Sequence, residues 1–174
     1  MTGPIAELLT DWRQLWAAAG AAACDGSDPR YVFESIGLRI QPRNDPLPLA
    51  YEATPRGSVT FASTGGDSVQ FSGVADPSGL AIVMTVPMQF DRPNLVLGAT
   101  LHEFLELGSR HRYFGLEQLA DSFGRTAGDL ADPSPWLEDD QTRRLALLRE
   151  RLDLNPWPHP RERLDELQSR LPVT

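Results

Sequence analysis

Between Val59 and Ser72, apolar and polar residues alternate in two short runs. Val59 and Phe61 alternate with Thr60 and Ala62; after a break, Val69 and Phe71 alternate with Ser68, Gln70 and Ser72. Alternation at period two predicts two strands, each with one buried and one wet face. Thr64, Gly65, Gly66 and Asp67 stand between them and predict a hairpin turn. Glycine tolerates the positive φ that tight turns need, and an aspartate can close the turn with its side chain. At least one of Gly65 and Gly66 is therefore expected at positive φ. Residues 80–88 form the most apolar run of the chain, and their β-branched content suits a central strand that leaves the sheet at Pro87. Asp76 to Gly79 predicts the turn before it, and Thr54 to Gly57 the turn before the hairpin. Three strands joined by short turns make an antiparallel meander.

Period-3.6 spacing flanks this meander on both sides. Ile5, Leu8, Leu9, Trp12, Leu15, Trp16 and Ala19 follow Pro4 at helical spacing. The alanine run to Cys24 extends that helix, with a break expected at Gly20. Trp12 and Trp16 are expected on the face that packs against the sheet. Asp28 and Pro29 open a short helix over 31–36 that stops at Gly37, although Tyr31 to Phe33 also suits a strand. Leu38 to Ile40 reads as a short strand, Pro42, Pro46 and Pro48 as an extended loop, and Leu49 to Glu52 as another short strand.

Beyond the meander, Thr100 and Glu103 have capping-box spacing, opening a helix with Leu101, Phe104 and Leu105 inward and Gly108 as its stop. Leu116, Leu119, Ala120 and Phe123 predict a further helix, and Leu145, Leu148 and Leu152 another. Residues 156–160 are too proline-rich for helix or central strand. Pro160 then opens a last helix with Leu164, Leu167 and Leu171 as its stripe. The expected fold is a single α+β domain over residues 1–174: an antiparallel β-meander sheet packed by N-terminal and C-terminal helices gathered on one side.

Composition narrows the chemistry. The chain has 174 residues, 41% of them hydrophobic, which is enough for a core without staples. No stretch approaches a membrane span, and the N-terminus lacks a basic region before an apolar stretch, so a cytoplasmic location without a signal peptide is expected. The net charge of −8 argues against nucleic acid as the main partner, because a phosphate backbone demands a basic face. It suits a basic protein partner instead. All 16 basic residues are arginine. A P-loop lysine, a pyridoxal Schiff base and a lysine general base are thereby excluded. Cys24 is the only cysteine, so an internal disulfide and a multi-cysteine zinc site are excluded too. Its place after three alanines suits a small buried residue.

Four segments carry a resemblance. Residues 60–72, 82–88, 101–108 and 113–119 stand in order, with a Thr-Phe-Ala-Ser-Thr-Gly-Gly-Asp hairpin, an Ile-Val-Met-Thr-Val-Pro-Met strand, a Glu-Phe-Leu helix and a Tyr-Phe-Gly-Leu-Glu-Gln-Leu piece. Together they resemble a family of uncharacterised bacterial proteins, which implies no activity. That pattern often has glycine and histidine where this chain has Ser68 and Gln70. In architecture, a helix-flanked sheet is similar to the SUKH proteins, many of which are bacterial toxin immunity proteins; that likeness implies a role in neutralising a toxin.

Candidate chemistry is sparse. His102 and Glu106 lie one helical turn apart with His111 nearby, a His-Glu-His set with metal-ligand character. The stretch resembles the zinc-protease motif with Glu106 in place of the second histidine, while Glu103 already has a capping use and Gly108 separates His111 from the helix. Gly66, Asp67 and Ser68 resemble the nucleophile block of GDSL-type esterases, with His159 as a late base. The aspartate that would position that base is absent at the right spacing. Thr64, Gly65, Gly66 and Asp67 offer backbone N–H groups to an anion. Arg110 and Arg112 form a small basic cluster that either caps the preceding helix or docks an acidic group. Trp157, in the proline run, is either the anchor of a strap that closes the domain or a free hook for a partner. The leading expectation is a non-catalytic cytoplasmic bacterial binding protein without cofactor or metal, which meets a basic protein such as a toxin and not nucleic acid or membrane. The alternative is a small hydrolase built on Ser68 and His159, or on a metal at His102, Glu106 and His111.

Overall fold

The computed structural model describes residues 3–23, 26–42, 51–66, 68–132 and 136–170. Cys24, Asp67, Leu171 and the residues 43–50 that hold Pro46, Pro48 and Leu49 lie outside them. Helix α1 spans Pro4–Ala22 and runs through Gly20 without a break. Two 3-10 turns follow at Pro29–Tyr31 and Glu34–Ile36. Asp28 caps the first by accepting from the Arg30 amide, and Gly37 ends the second at φ 80°.

The sheet has five strands in sequence order, all antiparallel: β1 Arg39–Ile40, β2 Val59–Ser63, β3 Gln70–Asp76, β4 Gly79–Thr85 and β5 Asn94–Gly98. The meander is thus two strands wider than the predicted three. The short strand at Leu38–Ile40 is present as β1, whereas Tyr51 and Glu52 form turn structure rather than a strand. After the sheet come α2 Leu101–Gly108, α3 Gln118–Asp129, α4 Asp139–Leu152 and α5 Pro160–Gln168. A 3-10 turn over Phe114–Glu117 leads into α3, which kinks at Ser122.

One sheet face packs against α1 and α2. Phe61, Phe71, Phe104 and Tyr113 join there in a cluster with ring centroids 4.8 to 6.4 Å apart. The backbone is shaped to let the helices approach. Gly73 on β3 faces Leu8 of α1, and Gly98 on β5 faces the backbone of α2. A bulge in β2 inserts Phe61 between the Thr60–Ser72 and Ala62–Phe71 pairs, and the extra residue joins the cluster. Trp12 is buried, and Trp16 is half-buried with its indole N–H donating to the Gln41 carbonyl.

The opposite face is not wet, contrary to the alternation. Thr60, Gln70, Ser72 and Thr85 are all buried. The segment around Ala53 and Thr54 lies across them: Thr54 donates to the Gln70 side chain, and the Asn94 side-chain amide donates to the Ala53 carbonyl at 2.9 Å. Thr60 bonds to Ser72 at 2.8 Å and Thr85 to Asn94 at 2.8 Å, so polarity here marks a largely hydrogen-bonded layer rather than solvent.

Helix α5 runs against β5, the edge strand, so the helices are not all stacked on one face. The Gln168 side chain accepts from the Val96 N–H and donates to the Val96 carbonyl, replacing a neighbouring strand at that point. In α2 the cap is as predicted, with Thr100 accepting from the Glu103 amide. Glu103 turns back to the Ala99 N–H and also pairs with Arg163 at 2.6 Å. Gly108 ends α2 for a packing reason and not as a left-handed stop: a Cβ there would overlap the Tyr113 ring. Among the described residues, no helix is long and apolar enough to cross a membrane.

Candidate functional site

The register places five residues in one row on the second face. Arg39, Ser63, Gln70, Thr85 and Asn94 are successive partners across β1 to β5. Antiparallel partners share a face, so five polar side chains cross the whole sheet side by side. Thr85 donates to Asn94 at 2.8 Å, and Thr54 reaches the Gln70 side-chain oxygen at 3.5 Å. The Gln70 amide nitrogen is buried without a hydrogen-bond partner among the described residues.

A cleft of about 430 Å³ opens at the Arg39 end of this row, walled by Arg30, Arg39, Tyr51, Ser63, Ser68 and Gln70 together with Gly65 and Gly66. Its described lining holds two guanidinium groups and no carboxylate, in a chain where acids outnumber bases 24 to 16. Arg30 is neutralised by Asp28, with side-chain bonds of 2.8 and 2.5 Å. Those bonds, and the one from the Arg30 amide, hold the Asp28 carboxyl below its ordinary pKa. Arg39 lies over the Tyr31 ring, 4.8 Å from its centroid, and donates to the Tyr31 hydroxyl at 3.1 Å. No carboxylate lies within ion-pair distance of Arg39 among the described residues.

Two loops project from this same end of the sheet, because Ser63 pairs with Gln70 and Thr85 with Asn94. The first is the predicted hairpin loop. The Thr64 N–H donates to the Val69 carbonyl and its hydroxyl to the Gly66 carbonyl at 3.0 Å. Gly65 has φ 84° and Ser68 φ 60°, while Gly66 takes no positive φ. Of the two glycines, only Gly65 therefore meets the conformational demand. The second loop joins β4 to β5, closed by the Val86 N–H on the Pro93 carbonyl. It holds Met88 at 72% exposure and Phe90 at 87%, and Gln89 ties it to Asp121 on α3.

The other predicted sites do not assemble. His102 Nε2 lies 3.4 Å from the Glu106 carboxylate, but Glu106 also accepts from the Asn155 N–H, and His111 is bonded to the Leu130 carbonyl at 3.1 Å. No metal-holding cluster of histidine, cysteine and carboxylate side chains is present among the described residues. Burial pushes the His111 pKa down, and Arg110 and Arg112 add to that against the bond to Leu130. Ser68 lines the cleft beside the sheet, whereas His159 lines a separate one with Glu103, Glu106 and Trp157, so the esterase pair is not brought together.

The Arg110 and Arg112 side chains are employed in the fold, though not on the helix that precedes them; of these two residues only the Arg112 N–H donates there, to the Gly108 carbonyl. Arg110 donates to the Ala131 carbonyl beyond α3, and Arg112 to the Gln141 side chain at the start of α4. Arg112 stands at φ 104°, in the left-handed region uncommon outside glycine. Trp157 is 8% exposed and part of the hydrophobic core, so it anchors and does not hang free. Asp67 lies outside the described residues.

Sequence reasoning missed Arg30, Arg39, Met88 and Phe90. An arginine between Leu38 and Ile40 in an edge strand, and an aromatic residue between Pro87 and Pro93, were the available signals. Compared with protein-family models, with curated proteins and with solved structures, the chain finds no match.

Proposed function

We propose that this is a non-catalytic bacterial cytoplasmic binding protein that acts through protein–protein contact, with neutralisation of a basic toxin as its most concrete form. The observation that carries the reading is the β4–β5 loop, which holds Met88 and Phe90 out from the end of the sheet. Methionine and aromatic residues are enriched where proteins meet, and an aromatic anchor supplies much of the energy of such contacts. The net charge of −8 favours a basic partner and speeds its approach. Ser68 and His159 line separate clefts, and Glu106 and His111 bond to different backbone groups, so neither hydrolase set is assembled among the described residues.

The test compares the parent with a Met88→Ser, Phe90→Ser variant of matched melting temperature. Both are used to retrieve partners from native lysate and are run through a broad hydrolase screen. The parent is expected to retain a basic protein that the variant loses, and neither is expected to turn over a substrate. Equal retention by both proteins, no retained protein at all, or turnover would each refute the reading.

A further inference from the structure

Two buried side-chain nitrogens have no hydrogen-bond partner among the described residues, on Trp12 and Gln70. The first has an ordinary reason: the indole brings a large apolar ring into the core, and its N–H comes along with it. Gln70 has a use for its side-chain oxygen, which accepts from Thr54, but none among the described residues for its nitrogen. Its side chain is 1% exposed, and an apolar residue of similar size would fill the same space without an unpaired donor. Gln70 also forms part of the cleft wall, one strand removed from Arg39 in the same row.

We propose that this cleft binds a small carboxylate, one carboxylate oxygen pairing with the Arg39 guanidinium and another acceptor of the same molecule, its second carboxylate oxygen included, bonding to the Gln70 amide. Three observations converge on it. Its volume of about 430 Å³ suits a small-molecule ligand. Arg39 is held over Tyr31 with further N–H donors to spare, and its fork matches a carboxylate. The nearby acids leave it without an ion pair: Asp28 is bonded to Arg30 and reaches Arg39 only through a longer-range charge interaction, and Glu34, beside Gly65, makes no ion pair with Arg39. One guanidinium free of an ion pair among the described residues matches a single carboxylate better than a phosphate carrying nearly two negative charges. The Gln70 nitrogen is closed to water, so the ligand meets it after the amide turns toward the cleft about its own side-chain bonds. This inference stands apart from the protein-contact reading, since Met88 and Phe90 are not in the described cleft wall.

The experiment is a titration of the isotope-labelled protein with acetate, glutarate and benzoate, followed through the side-chain amide signals of Gln70 and the Nε signal of Arg39. Inorganic phosphate is the control. Gln70→Leu assigns the amide pair, and Arg39→Gln tests the charge. At least one carboxylate is expected to shift both signals saturably. Arg39→Gln should weaken that response about tenfold or more, as expected for loss of a charge-assisted bond. Gln70→Leu should weaken it as well at a temperature where the variant is fully folded, which a merely structural glutamine would not produce. Silence at Gln70 and Arg39 with all three carboxylates overturns the proposal, as does a response that survives Arg39→Gln or is matched by phosphate. Should Arg39→Gln fail to fold, the signals of the parent protein decide alone. Phe90→Ser should leave the carboxylate response unchanged, which separates this result from the fate of the partner reading.

Discussion

Gly65 and Gly66 stand side by side in the sequence and do different work. Gly65 sits at φ 84°, with the Glu34 carboxylate 3.1 Å from where a Cβ would stand; Gly66 has an ordinary backbone and open space. Gly65→Val is expected to cost about 1–2 kcal/mol or more through left-handed strain, and Gly66→Val close to nothing. Equal melting temperatures for the two variants would contradict that assignment. A glycine pair announces a turn, but which member is strained depends on loop length, and Thr64 closes a loop that includes Ser68 at positive φ as well. His111 supplies a pH prediction at the same scale. Its folded pKa lies below the ordinary 6.5, so the unfolded chain binds the proton more tightly. Its contribution to stability is therefore full above about pH 6.5 and declines as the pH falls toward the depressed folded value. Denaturation curves at several pH values should show this slope in the parent and a flatter one in His111→Gln. Identical slopes would remove His111 as the source.

At the scale of elements, α5 and the segment before it hold the sheet closed. Trp157, Leu164 and Leu167 are buried, and burying each such side chain contributes about 1.5–3 kcal/mol. Truncation after Leu154 should therefore remove an amount comparable with the stability of a whole domain and leave the protein unfolded. A truncated protein that melts like the parent would exclude the strap. Gln168→Ala is a finer test: it leaves the outward N–H and C=O of Val96 without their side-chain partner. A loss of about 1–3 kcal/mol is expected, together with self-association through the bared edge, measured by denaturation and sedimentation. Neither effect would be seen if water served Val96 equally well. The helices were legible because Leu8, Trp12 and Leu15, or Leu164 and Leu167, repeat at 3.6, and β2 to β4 because their apolar residues are β-branched or alternate. β5 went unread: Leu95, Val96 and Leu97 form too short a run to show a period, and it is pairing with β4 that makes them a strand. The buried polar row was misread for a related reason. Alternation reports polarity, and the segment that covers Gln70 and Asn94 is distant from both in sequence.

For the whole molecule, charge and shape have to be read together. Acidic residues prevail in the chain, yet the described lining of the cleft carries only arginine charge, and the most exposed large apolar residue among those described stands on a neighbouring loop. None of this was legible from motifs, because Arg39 and Gln70 join one row, with Ser63 between them, only through the β1–β2–β3 register. The central claim is that the end of the sheet bearing Phe90 meets a protein partner. A photo-crosslinking amino acid placed at position 90, in living cells, tests it most directly, with the same group at exposed Trp136 as the control. The account predicts a discrete adduct with one basic protein from position 90 and none of it from position 136. The same adducts from both positions, or none from position 90, would contradict it.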